Sequence, residues 1–170
     1  MSTARPARSV TVMDTHATRT LTITPGGRRR TYLLNDGREP VGSLEIARSL
    51  TTRGEIRTPE GRWPVTRDAK QWSSVDAGDP EHPLVSLRRD EAMVPGMSTA
   101  APWRIAGRFI HVRGRLGQGD HAISVDAAGW RGPHATVQVT GAWEHEHLVV
   151  LACFFGMYCR RRRAITLLST

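Results

Sequence analysis

A chain of 170 residues, 39% hydrophobic and 24% charged, has the size and balance of one globular domain, which excludes wholesale disorder and a polytopic membrane protein. Its formal charge of +8 comes from 24 basic and 16 acidic residues. Seven of the basic ones stand in two runs, Arg28–Arg30 and Arg160–Arg163, and without them 24 − 7 = 17 basic residues face 16 acidic ones, so two clusters carry the field of a nearly neutral body.

Residues 1–19 are rich in Ser, Thr, Ala and Arg, with Asp14 the only acid. They contain no apolar core of a secretory signal, so the reading is a disordered leader in a cytoplasmic protein, peripheral on a membrane at most. From Leu21 short alternating segments are cut by turn residues. Leu21–Thr24 meets Pro25-Gly-Gly27, Arg30–Leu34 meets Asn35-Asp-Gly37, and Val41–Ile46 follows. This is hairpin grammar, because Gly, Asn and Asp tolerate the positive φ that tight turns require. The beat continues through Gly54–Arg57, Arg62–Thr66, Gln71–Val75 and Leu84–Leu87. The stretch Asp90–Ala101, around Pro95-Gly96, reads as a longer loop between two halves. Strands resume at Trp103–Ile105, Arg108–Val112, Ala122–Val125 and His134–Thr140. In the last, Ala135, Val137 and Val139 share one face and Thr136, Gln138 and Thr140 the other.

Leu148–Cys159 carries no charge and stands between Glu144-His-Glu-His147 and the four arginines. Acids before it and arginines after it suit a helix dipole, and a helix apolar on every face must be buried. Its length of about 18 Å is short of the roughly 30 Å of a hydrocarbon slab, which favours the inside of a sheet over lipid. Cys153 and Cys159 lie too far apart along such a helix to bridge and read as buried reduced thiols.

Ten to twelve strands and one apolar helix predict a mainly β protein, a closed antiparallel barrel enclosing a helix over about 145–163. One domain is expected over 20–164, with a tail at 165–170. The tryptophans at 63, 72, 103, 130 and 143 sit beside strand ends, where their rings are expected to seal a rim.

The hairpin Tyr32-Leu-Leu-Asn-Asp-Gly37 with Val41-Gly42, the two halves that each run strand, turn and tryptophan, and the closing apolar helix together resemble the tubby carboxy-terminal superfamily. That group includes phospholipid scramblases and LURP-one-related proteins, and the resemblance runs from about Leu21 to Arg163. It implies a barrel around a central carboxy-terminal helix, and it implies phosphoinositide headgroups as a ligand class. The cysteine-rich segment and calcium-loop acids of scramblases and the tubby signature stretch are absent, so neither calcium-dependent scrambling nor a transcriptional role follows.

Catalytic patterns fail on context. Gly117-Gln-Gly-Asp-His-Ala122 has the letters of a dinucleotide loop but precedes a strand instead of opening a helix. Gly96-Met-Ser-Thr-Ala100 lacks the helix a nucleophile elbow needs. His145 and His147 diverge on a helix, so no metal site is expected. The arginines remain. Arg28, Arg29, Arg30, Arg160, Arg161, Arg162 and Arg163 are the candidate residues for anionic lipid headgroups or a membrane surface. The expectation is a monomeric, non-enzymatic binding module without cofactor. The alternatives are a tail anchor through 148–159 and a nucleic-acid binder through the arginine runs. Nucleic acid is not the expected partner, because no aromatic residues interleave the runs.

Overall fold

The computed structural model describes residues 17–28, 30–47, 52–68, 74–108, 110–129 and 133–166, without the side chains of 108 and 162–166. The first half of the wall is β1 (Thr18–Pro25), β2 (Thr31–Asp36), β3 (Glu39–Ile46), β4 (Arg53–Thr58), β5 (Gly61–Arg67) and β6 (Val75–Gly78). The second is β7 (Pro83–Leu87), β8 (Glu91–Met93), β9 (Ala101–Arg108), β10 (His111–Gln118), β11 (His121–Ala128) and β12 (His134–Thr140), followed by α1 (Glu146–Thr166). Each strand pairs antiparallel with the next, and β12 returns to β1 with Leu21 opposite Val137 and Ile23 opposite Ala135. The protein is mainly β, a closed twelve-stranded barrel with one carboxy-terminal helix.

Alternation fixes which way each strand faces. In β12 residues 135, 137 and 139 are buried while 134, 136 and 138 are exposed, and β10 repeats the pattern at Val112, Gly114 and Leu116. A barrel of twelve strands leaves a lumen too wide for wall side chains alone to fill. The helix fills it. Leu148–Phe155 are at most 1% exposed, and α1 touches β3–β7 and β9–β11. Each fully buried Leu, Val or Phe contributes about 1.5–3 kcal/mol relative to exposure.

Two wall glycines admit the helix. A Cβ on Gly114 would stand 2.6 Å from the Met157 sulfur and 2.8 Å from the Trp103 ring. One on Gly42 would stand 3.2 Å from a Leu151 methyl carbon. Bare backbone at these points is what lets Trp103, Met157 and Leu151 reach the wall.

Several expectations change in detail. Thr18 and Arg19, assigned to the leader, already pair with Thr140 and Val139 in β1. The presumed loop Asp90–Ala101 contains the short strand β8, whose three residues are too few to show a period. Trp103 does not seal a rim: at 2% exposure it is part of the core. Trp143 does lie near an end, its indole Nε1 donating to Thr140 O at 3.0 Å and its ring 4.2 Å from that of His121. Trp63 is half-buried beside His145, and residues 72 and 130 lie outside the described residues. The helix runs to Thr166 instead of ending at 163. Both cysteines are buried and unbridged. Among the described residues no helix is long and apolar enough to cross a membrane.

Candidate functional site

The alternation of strand direction sorts the turns. Those after odd-numbered strands lie at one end of the barrel, and those after even-numbered strands lie at the other together with the link from β12 into the helix. The helix therefore enters at the even-turn end and leaves at the odd-turn end. Contacts agree with this course: Arg19 pairs with Glu146 at the entrance, and Arg160 reaches β9 near the exit.

Charge divides along the same axis. The even turns and the helix entrance carry Glu60, Asp79, Glu81, Asp120, Glu144 and Glu146, with Arg38 in a turn and Arg19 against Glu146 as cations among them. A hydrogen bond from Thr58 holds the Glu60 carboxyl below the ordinary range, with smaller help from His147 and His145. The odd turns and the helix exit carry Arg28, Arg30, Arg88, Arg89 and the run 160–163 against Asp68 and Asp90. Two arginine runs more than a hundred residues apart thus share one rim.

The candidate arginines are not equivalent. Arg28 is exposed in the β1–β2 turn, and position 29 lies outside the described residues. Arg30 is a structural residue as well as a charge. It holds φ at 64°, its carbonyl accepts from Ile46 N at 3.0 Å, and its Nη1 donates to Ala47 O at 3.0 Å, tying the β1–β2 turn to the β3–β4 loop. Arg160 is exposed and its Nη1 donates to Ile105 O at 2.6 Å. Arg161 turns inward, 6% exposed, and its Nη1 and Nη2 have no hydrogen-bond partner among the described residues. Burial lowers its pKa, and the nearby Tyr32 and Tyr158 hydroxyls oppose that shift. An arginine stays charged even so. Arg162 and Arg163 continue the helix, their side chains outside the description.

Sequence reasoning missed a gap in the wall beside this rim. The ladder of β8 on β9 ends at Glu91–Pro102, and the last contact is Trp103 N donating to Asp90 O at 3.0 Å. Beyond it β9 runs on to Arg108 with no strand on that side among the described residues. A sheet edge left bare invites pairing with another chain, and here the Arg160 guanidinium meets one of its carbonyls. The gap forms a cleft of about 720 Å³ rimmed by Arg88, Arg89, Asp90, Arg104 and Arg160. Arg88 is engaged, its Nη1 2.9 Å from Asp76 Oδ1 and 3.1 Å from Leu87 O. Arg89 stands 3.9 Å from Asp90, both strongly exposed. The signal in the sequence was the doublet Arg88-Arg89 between two apolar segments, overshadowed by the longer runs.

Burial pushes the thiol of Cys159 up to about 12, with nearby Arg67 opposing, and pushes Cys153 up as well, so neither supplies a thiolate near neutral pH. Among the described residues no cluster of His, Cys, Asp or Glu has the makings of a metal site. Comparison with protein-family models, with curated proteins and with solved structures finds no significant match.

Proposed function

We propose that this protein is a non-enzymatic binding module whose basic end docks on an anionic, phosphate-bearing lipid surface. One observation carries the reading: an antiparallel barrel with its helix threaded through it gathers the β1–β2 turn, the β7–β8 turn and the helix exit at a single end, while the acids collect at the opposite one. A charge dipole along a barrel axis orients the molecule toward a negative surface before contact. Each basic side chain near such a surface contributes about 1 kcal/mol. Exposed Arg28, Arg89 and Arg160 therefore supply about 3 kcal/mol, a weak and salt-sensitive attachment. Among the described residues, the aromatic side chains Tyr32, Trp103 and Tyr158 are buried and offer no stacking platform for bases. A barrel around a carboxy-terminal helix is also what the tubby-like resemblance implies, and that resemblance supports headgroup phosphates as the ligand.

The test is flotation with phosphatidylserine-containing and with purely phosphatidylcholine vesicles. Binding is expected to the anionic vesicles alone, and to fade as salt shortens the Debye length from about 10 Å at 0.1 M to about 3 Å at 1 M. The pair Arg28→Glu and Arg89→Glu should abolish it. The pair Arg38→Glu and Arg62→Glu changes net charge equally but sits toward the acidic end, and it should retain binding. Equal loss in both pairs would reduce the effect to net charge and overturn the oriented-end reading. Arg30 is unsuited to this test because its change also loosens the turn it ties.

A further inference from the structure

The outer wall carries a second concavity, on the flank of the barrel. Register across β9, β10, β11 and β12 lines up one rung of outward side chains, Arg104 opposite Arg115, Arg115 opposite Ser124, and Ser124 opposite Gln138. The next rung runs Ala106, Arg113, Asp126 and Thr136. These rungs line a trough of about 770 Å³, within the size range of small-molecule sites. Its floor is short side chains, Ala106, Ser124 and Thr136, and its walls are the long arginines.

The two rungs differ in how their charges are held. Arg113 Nε donates to Asp126 Oδ2 at 2.9 Å, and His111 binds the other oxygen of the same carboxylate. Burial alone would raise that carboxyl, but the His111 and Arg113 hydrogen bonds hold it below its ordinary value. Arg104 and Arg115 have no such partner. They stand directly across from one another, exposed, and neither guanidinium makes a hydrogen bond or ion pair among the described residues. Like charges in directly opposite cross-strand positions destabilise a sheet. A fold that keeps such a pair at the rim of a concavity has placed two guanidinium groups where one anion can bridge them.

We infer that this trough binds a small hydroxyl-rich phosphomonoester, a sugar or polyol phosphate. Three arginines against one aspartate leave 3 − 1 = 2 surplus positive charges in the lining, which matches a phosphomonoester dianion. The phosphate lies between Arg104 and Arg115. Ser124, Gln138 and Thr136, further along the two rungs, offer the donors and acceptors that hydroxyl groups need. The trough and the cleft at the basic end share Arg104, whereas Arg115 lines the trough alone.

The experiment uses glucose 6-phosphate, glucose and inorganic phosphate as probes, read by thermal shift and by amide chemical-shift titration. Glucose 6-phosphate is expected to bind at least tenfold more tightly than either of the others. Arg115→Gln should weaken it tenfold or more, and without ligand it should raise Tm by about 1–3 °C, because removing one charge relieves the cross-strand repulsion. A residue with a merely structural role would lower Tm instead. Arg28→Glu should leave glucose 6-phosphate binding unchanged. No binding of glucose 6-phosphate at about 10 mM, equal affinity for inorganic phosphate, an unaltered affinity in Arg115→Gln, or a lowered Tm of its unliganded form would each overturn the inference.

Discussion

Truncating Phe154 to alanine tests whether the helix is the core of the barrel. The residue is 1% exposed, near the middle of the twelve-residue apolar stretch, and its ring centroid stands 5.1 Å from that of Tyr32 at an interplanar angle of 63°. Removing the ring leaves a cavity between helix and wall that neither can close, since the wall is a hydrogen-bonded cylinder. Phe→Ala changes at such sites cost about 3–5 kcal/mol, of which the edge contact with Tyr32 accounts for about 0.5–1.5 kcal/mol. Against a total stability of about 5–15 kcal/mol, this is about a fifth of the fold or more. In urea, with a slope of about 2 kcal/mol/M, the midpoint should fall by about 2 M with the slope unchanged. Met93→Ala, on the outer wall and 48% exposed, is the control and should stay within about 0.5 kcal/mol. A double cycle with Tyr32→Leu and Phe154→Leu isolates the ring contact. If Phe154→Ala costs no more than Met93→Ala, the helix is not enclosed.

Two further perturbations address the helix. A Cβ on Gly156 would meet Val75 and Leu87 only at 3.5 and 3.7 Å, ordinary contact distances, so Gly156→Ala should stabilise by about 0.5–1 kcal/mol, read as a higher urea midpoint; a loss would show that the wall is tighter there. Stability should also fall at alkaline pH. Unfolded thiols ionise from about pH 8.5, whereas the Cys159 thiol is pushed up to about 12 and that of Cys153 is raised too. In this window the unfolded state has lost protons that the folded state keeps, so the stability present below about pH 8.5 is lost as pH rises, by about 1.4 kcal/mol per pH unit for each thiol. Urea titrations between pH 8 and 11 should give a shallower decline for Cys159→Ala than for the parent protein, and equal slopes would refute burial of that thiol.

Strand alternation and turn chemistry are local properties, which is why the wall was legible one hairpin at a time. The apolar run 148–159 was legible too, because a helix with no polar face has few places to go. What escaped was set by tertiary context. Glu91-Ala-Met93 is a strand only because β7 and β9 flank it. Trp103 stands at a strand end in sequence yet points into the lumen, over the bare backbone of Gly114. Among the candidate arginines, the sequence could not separate Arg28, exposed in its turn, from Arg161, turned inward. Which rotamer a guanidinium adopts depends on what the opposite wall presents. The trough is still less legible, because opposing Arg104 to Arg115 requires the register of two strands, and a slip of one residue would send one of the pair to the other face.

The sharing of one rim by both arginine runs follows from parity. In a sequentially paired antiparallel barrel each strand reverses direction, so a turn that follows an odd-numbered strand lies opposite to one that follows an even-numbered strand. The helix follows the twelfth strand, crosses the lumen and emerges where the odd turns lie. The first turn, with Arg28 and Arg30, is among them. Had the chain eleven strands, the same helix would enter at the odd end and carry Arg160–Arg163 to the end opposite Arg28 and Arg30. The three residues of β8 therefore decide more than their area suggests. They restore an even count, and by stopping short they also open the cleft through which Arg160 reaches Ile105. One short strand sets both the polarity of the barrel and the gap in its wall, and a sequence reading that allows ten to twelve strands cannot assign the arginine runs to one end until that strand is placed.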